Sequence, residues 1–265
     1  MQEELEATIV KYDEDTGIGE IIMNRPDSLN ALSGELRRDI IASLDLLGAQ
    51  DANGEGVELR AVILSGAGDR AFCAGADITE FGGGGGGTTT DRSHYESIRT
   101  FPAPVIAKVQ GYCLGGGFET ALSADFRFAS EDSTFGLPEI ELGFLPGAGG
   151  AQFVSKIAGP AVAKELAMTG KHISADRAHE EGLVHDVYSS DDLDEEVWNF
   201  AEELANRAPL GVRAIKRSVN LSMEVGLEDG IQYDGESASR LTNTEDFAEG
   251  TSAFAEKRDP EFEGK

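Results

Sequence analysis

Two acidic residues and one run of glycines carry most of the chemistry that this sequence offers. In PVIAKVQGYCLGGGFE (104–119) an apolar strand passes through a turn into Gly115-Gly116-Gly117, and Glu119 falls in the first turn of the helix that follows. Consecutive glycines at a helix start let a ligand reach unpaired N–H groups, and the positive end of the helix dipole favours a developing oxyanion. In FGLPEIELGFLPGAGG (135–150), Glu139 follows Pro138 within an apolar loop. A carboxylate with so many apolar neighbours is either turned to solvent or kept for chemistry, and a glycine cluster by itself can equally serve close packing. Other reactive groupings fail their tests. Gly66-Ala67-Gly68-Asp69-Arg70-Ala71 fits the dinucleotide fingerprint formally, but the helix, second strand and acidic residue that the motif needs do not follow it. Gly170-Lys171 lacks the leading glycine of a P-loop, and the sequence holds neither HExxH nor GxSxG. His94, His172, His179 and His185 are expected at the surface. Cys73 and Cys113 belong to no CxxC pair, so they read as small buried hydrophobes and point to no disulfide or metal site.

The elements that must position these groups follow from periodicity. Leu5, Ala7 and Ile9 alternate with polar residues, and Ile18–Asn24 reads as the second strand of a hairpin. Ser33 can cap a helix whose apolar positions Leu36, Ile40, Ile41, Leu44 and Leu47 keep helical spacing. Strands are expected at Leu59–Ser65, Val105–Val109, Phe126–Ala129 and Leu183–Tyr188. Between the first two lie AFCAGADI (71–78), a six-glycine run at 82–87 that reads as a flexible loop tip or link, and a short helix that Ser93 and Glu96 can cap. Phe135–Gly150 reads as loop and turn, and helices are expected at Ala151–Ala158, Ala161–Thr169 and Ala175–Glu181. Beyond Asp191 the pattern is helical throughout. Strands alternating with helices, then helices alone, predict an α/β core over residues 1–190 and a helical region over 191–265.

Charge narrows the function classes. Against 22 Lys+Arg stand 49 Asp+Glu among 265 residues, a formal net charge of −27. A field of that sign repels phosphate backbones and anionic lipid, so nucleic-acid and membrane partners are not expected. Self-repulsion of that size calls for screening, and the preferred reading is a halophile cytosol. The acidic start, MQEELEA, resembles neither a signal nor a transit peptide, and no apolar run approaches a membrane span, which gives a soluble, cytoplasmic protein as the expectation.

Taken together, AFCAGADI, LGGGFE and LPEIELG, in this order and spacing, resemble the enoyl-CoA hydratase/isomerase (crotonase) family, and the resemblance runs from Asn24–Leu32 to TSAFAEKR (251–258). It implies a spiral of ββα units with a helical C-terminal region that mediates assembly into a trimer or a dimer of trimers. It further implies that the backbone N–H groups of Ala76 and Gly116 form an oxyanion hole for a thioester carbonyl. By the same resemblance Glu119 activates water and Glu139 donates the α-proton. CoA would lie along Ala74, Ala76, Asp77, Ile78 and Thr79, with Arg25, Ser28, Gly116 and Pro138 also in contact, and with Phe254 and Lys257 reaching a neighbouring subunit's CoA. Thr79 and Asp27 stand where relatives often carry basic residues, and the glycine run replaces the usual start of a substrate-pocket helix. The activity implied is hydration of a 2-enoyl-CoA thioester, with no metal or redox cofactor, since CoA arrives with the substrate. A Δ3,Δ2-enoyl-CoA isomerase, another lyase or thioester hydrolase of the same fold, and a non-catalytic CoA-binding subunit remain as alternatives.

Overall fold

The computed structural model describes residues 1–53, 56–82 and 93–265, so the glycine run at 82–87 lies almost wholly outside the described residues. β1 (Gln2–Glu4), β2 (Thr8–Asp13) and β3 (Ile18–Met23) form an antiparallel edge. α1 (Gly34–Gly48) follows, and Ser33 caps it by accepting a hydrogen bond from Leu36 N at 3.1 Å. Its buried side chains include Leu36, Ile40, Leu44 and Leu47, as the helical spacing requires.

The chain then repeats one move. β4 (Ala61–Gly66), β5 (Ala71–Cys73) and α2 (Ser93–Thr100) make one ββα unit; β6 (Val105–Val109), β7 (Tyr112–Leu114) and α3 (Gly116–Ser123) make the next. β8 (Phe126–Ser130) and β9 (Thr134–Gly136) lead into a 3-10 turn, Pro138–Leu142, and then α4 (Gly150–Ile157) and α5 (Gly159–Thr169). β10 (His172–Ser174), α6 (Ala175–Glu180) and β11 (Asp186–Tyr188) complete the core, and α7 (Leu193–Ala205), α8 (Pro209–Ser222), α9 (Leu227–Leu241) and α10 (Glu245–Glu256) follow. The first strand of each unit joins the large sheet, ordered β1-β2-β3-β4-β6-β8-β11, whereas the second joins a small sheet ordered β10-β9-β7-β5. β3, β4, β6, β8 and β11 run parallel.

Burial on both faces explains why β4 and β6 are largely apolar, with Lys108 the charged exception in β6. Val62, Leu64, Val105 and Ala107 join the main core with Phe72, Phe118 and Phe135. The alternate residues Ala61, Ile63 and Ile106 face Leu193, Val197 and Ala201 of α7. The C-terminal tail turns back onto the core, where Asp246 accepts hydrogen bonds from the Glu263 and Gly264 amides.

Sequence and structure part in a few places. β7 and β9 sit where turn and loop are expected and β10 where no element is assigned; at three residues each they are too short to show an alternating pattern. Only Asp186–Tyr188 of the expected strand at Leu183–Tyr188 is extended, because Leu183 and Val184 instead pack into the core beside α6. His94 is not a surface histidine. It is fully buried on the inner face of α2, with its ring 3.7 Å from that of Tyr95.

Candidate active site

The small sheet ends at a concave surface, and the glycine turn after β7 forms its floor. Gly115 caps α3 with φ 51°, a left-handed conformation that L side chains rarely adopt, and a Cβ there would stand 3.0 Å from Glu139 Oε1. Gly117 packs directly on β5, because a Cβ on it would lie 2.1 Å from the Cys73 carbonyl oxygen. This close approach fixes the first turn of α3 and hence Glu119, whose side chain is buried at 4% exposure. Glu119 Oε1 accepts hydrogen bonds from the amides of Ala148 and Gly150, both at 2.8 Å. The loop after the 3-10 turn thus locks one carboxylate in place.

Glu139 enters from the opposite side. Leu137 is buried at the end of β9, Pro138 starts the 3-10 turn, and Gly143 closes it with φ 70°. The turn presents Glu139 half-buried, with Oε2 enclosed and lacking a hydrogen-bond partner. Burial pushes this carboxyl up to about 7; its own backbone amide pulls the other way, and the nearby Glu119 charge adds to the rise.

Two amides complete the geometry. The Leu32 amide donates to Gly75 O at 2.8 Å and the Asp77 amide to Leu32 O at 3.1 Å, so the bonds to Leu32 use the groups flanking Ala76 and leave the Ala76 N–H without an acceptor among the described residues. Gly116 opens α3, where a helix has no internal acceptor for its N–H. A Cβ on Gly116 would stand 2.9 Å from Tyr95 Oη and 3.7 Å from the Ala76 nitrogen. Both amides therefore border one space, a cavity of about 150 Å³ whose wall includes Glu119 and Glu139.

Of the residues singled out from the sequence, the structure brings Ala74, Ala76, Ile78, Gly116, Glu119, Pro138 and Glu139 together around this cavity. Arg25 and Asp77 lie beside it as an ion pair at 3.0 Å, and Thr79 donates to Asp77 at 2.6 Å. Ser28 is exposed on a 3-10 turn. Phe254 and Lys257 are exposed in and just beyond α10 and are not part of the cavity wall of their own chain. Sequence reasoning missed Arg37 and Tyr95, which also line the cavity, and the Ala148 and Gly150 amides that hold Glu119. The signal for Tyr95 was its helical spacing from Ile98 on the buried face of α2. Among the described residues no group of three or more His, Cys, Asp or Glu could hold a metal ion, and no helix is long and apolar enough to cross a membrane.

Fold and cavity define a class: a spiral of ββα units ending in helices, with two carboxylates facing two backbone amides. The profile of the enoyl-CoA hydratase/isomerase family matches residues 13–265. A probable enoyl-CoA hydratase of Rhizobium meliloti is 39% identical over 248 residues, covering 92% of this chain and 94% of that protein. A short-chain-enoyl-CoA hydratase of Clostridium acetobutylicum is 34% identical over 259 residues, covering 96% and 97% respectively. The crystal structure of an enoyl-CoA hydratase from Bacillus anthracis superposes with a TM-score of 0.90 at 36% identity, covering 98% of this chain and 100% of that one. The chain belongs to the enoyl-CoA hydratase/isomerase family and has the crotonase fold.

Proposed function

We propose that this protein is a 2-enoyl-CoA hydratase, adding water across the 2,3 double bond to give a 3-hydroxyacyl-CoA, as in fatty-acid β-oxidation. The observation that carries the reading is the placement of two carboxylates in unlike environments around one cavity bordered by the Ala76 and Gly116 amides. Addition of water to a conjugated thioester puts negative charge on the thioester oxygen. Two fixed N–H donors stabilise that charge, and the loss of one such donor typically costs ~2.7–4 kcal/mol in an oxyanion hole. Glu119, whose Oε1 already accepts two amide protons, takes the proton from water as the ionised partner. Glu139, with a carboxyl pushed up to about 7, holds the proton that goes to the α-carbon. The cycle closes when the proton taken by one carboxylate is passed back to the other through solvent or product release.

The assembly that goes with this reading is a homotrimer or a dimer of trimers. Ile215 and Val219 on α8, Leu227 and Ile231 on α9, and Phe254 on α10 are exposed large apolar residues, Phe254 at 88%. A second copy covering these faces would remove that area from water and bring Phe254 and Lys257 toward a neighbour's CoA.

A turnover panel tests the assignment. The protein is offered crotonyl-CoA, a 3-enoyl-CoA and 3-hydroxybutyryl-CoA, and the hydratase reading expects rapid interconversion of the first and third. Turnover of the 3-enoyl thioester alone would assign an isomerase, and tight binding of crotonyl-CoA without turnover would assign a non-catalytic CoA-binding subunit.

A further inference from the structure

The wall of the cavity also takes side chains from α1 and α2, and these are groups that hydration does not use. Arg37 stands in the first turn of α1 and Tyr95 on the inner face of α2, and both line the cavity. The Arg37 guanidinium has five N–H donors. Among the described residues its hydrogen bonding is a single contact from Nη2 to the Leu32 carbonyl at 3.2 Å, and its buried Nε has no partner there. No carboxylate of the described residues pairs with it, although acids outnumber bases more than two to one in the sequence (49 against 22). Arg25, on the same side, shows what a structural arginine does here: it donates to the Ala31 carbonyl and pairs with Asp77 at 3.0 Å. Arg37 is moreover a cation in the first turn of a helix, where the macrodipole opposes it. A half-buried cation that neither the helix nor an ion pair favours is an under-used donor facing an open cavity. Tyr95 adds a second one. Its hydroxyl has no hydrogen-bond partner among the described residues, and it points to where a Gly116 Cβ would stand, 2.9 Å away.

We propose that Arg37, assisted by the Tyr95 hydroxyl, recognises an anionic terminus on the acyl group, so that the preferred substrates are short 2-enoyl thioesters ending in a carboxylate. This deepens the hydratase reading and rests on it for the reaction, though not for the binding. The cavity of about 150 Å³ brings Arg37 and Tyr95 into the same space as the two carboxylates. A purely apolar tail would occupy that volume while leaving both donors unpaired, and sites built to hydrogen-bond a substrate group reject analogues that lack it. A guanidinium is the side chain suited to this task, because its planar fork bonds a carboxylate at two points.

Saturated thioesters separate this inference from the hydration chemistry. Dissociation constants for glutaryl-CoA and pentanoyl-CoA, which have equal carbon chains, are measured calorimetrically with the wild-type protein, Arg37→Met and Arg37→Lys. The wild type is expected to bind glutaryl-CoA at least ~10-fold more tightly, Arg37→Met to bind the two equally, and Arg37→Lys to keep part of the preference, since a point charge survives without the bidentate fork. Equal wild-type affinities would overturn the proposal. So would a uniform weakening of both thioesters in Arg37→Met, which would place Arg37 on the CoA phosphates, and so would identical behaviour of the Met and Lys variants. The kcat/KM ratio for glutaconyl-CoA over 2-pentenoyl-CoA is then read in the same three proteins. Should neither be hydrated while the glutaryl preference stands, the hydratase reading fails and the tail recognition survives.

Discussion

Glu119 and Glu139 are the same side chain on two differently built supports. Glu119 projects from α3, which is clamped against β5 through Gly117, and its Oε1 is bonded to two amides. Glu139 sits on a 3-10 turn between Leu137 and Gly143, with Oε2 enclosed and unbonded and its carboxyl pushed up to about 7 by burial. One position supplies the carboxylate with N–H donors, whereas the other leaves an oxygen without one. On the proposed hydratase reading, the difference teaches how one cavity would keep a base and an acid of identical chemistry, which an addition of water requires.

The largest effects come from removing the titratable proton while keeping the shape. Glu119→Gln and Glu139→Gln should each lower kcat for crotonyl-CoA hydration by at least ~100-fold, the low end for a positioned acid or base. The double variant should cost much less than the product of the singles, because groups acting as a unit are non-additive. Near-wild-type hydration in either single variant would break the comparison at its root.

A second effect is on the support itself. A Cβ at Gly117 meets the Cys73 carbonyl at 2.1 Å, and backbone cannot rotate away as a side chain can. Gly117→Ala should therefore destabilise the fold by about 3 kcal/mol, in the upper range for overpacking, and denaturant unfolding would show it. Gly143→Ala also carries strain from a positive φ, but nothing lies within 4 Å of its Cβ, so its cost should be nearer 1 kcal/mol.

The raised carboxyl also leaves a mark on stability. Between about 4.5 and about 7 the unfolded Glu139 ionises while the folded one retains its proton. The folded state then binds more protons than the unfolded state, so this group's contribution to stability falls as pH rises through that window. Glu139→Gln removes the penalty and should raise unfolding stability at pH 8 by about 1–2 kcal/mol after discounting for solvent screening, with no gain at pH 4. A variant less stable than wild type at pH 8 would contradict the assigned environment.

The smallest effects concern charge and assembly rather than the cavity. With a net charge of −27, the thermal midpoint should rise from low to molar KCl, and an unchanged midpoint would remove the halophile reading while leaving the site untouched. Phe254→Asp alters a side chain that is 88% exposed in the single chain, so the fold should persist while light scattering shows smaller particles.

The sequence made some of these features legible and hid others for physical reasons. Ser33 with its helical apolar spacing declared itself by a local period, and β4 and β6 by short apolar runs bounded by turn signals. Glu119, Glu139 and the glycine triplet stood out by residue type, and their convergence with Ala76 came from resemblance, since contacts between residues so distant in the chain leave no local signal. β7, β9 and β10 stayed hidden because three residues cannot show alternation. Arg37 passed for one more polar position on α1, and His94 for a solvent-facing histidine on α2, because which side of a short helix is covered depends on the core it meets.

The most direct test of the central claim is kcat/KM for crotonyl-CoA hydration across pH, which reports ionisations in the free enzyme. If Glu139 delivers the α-proton from a carboxyl pushed up to about 7, kcat/KM falls by about tenfold per pH unit above that value. A profile that stays level to pH 9, or that rises through 7, would contradict the account.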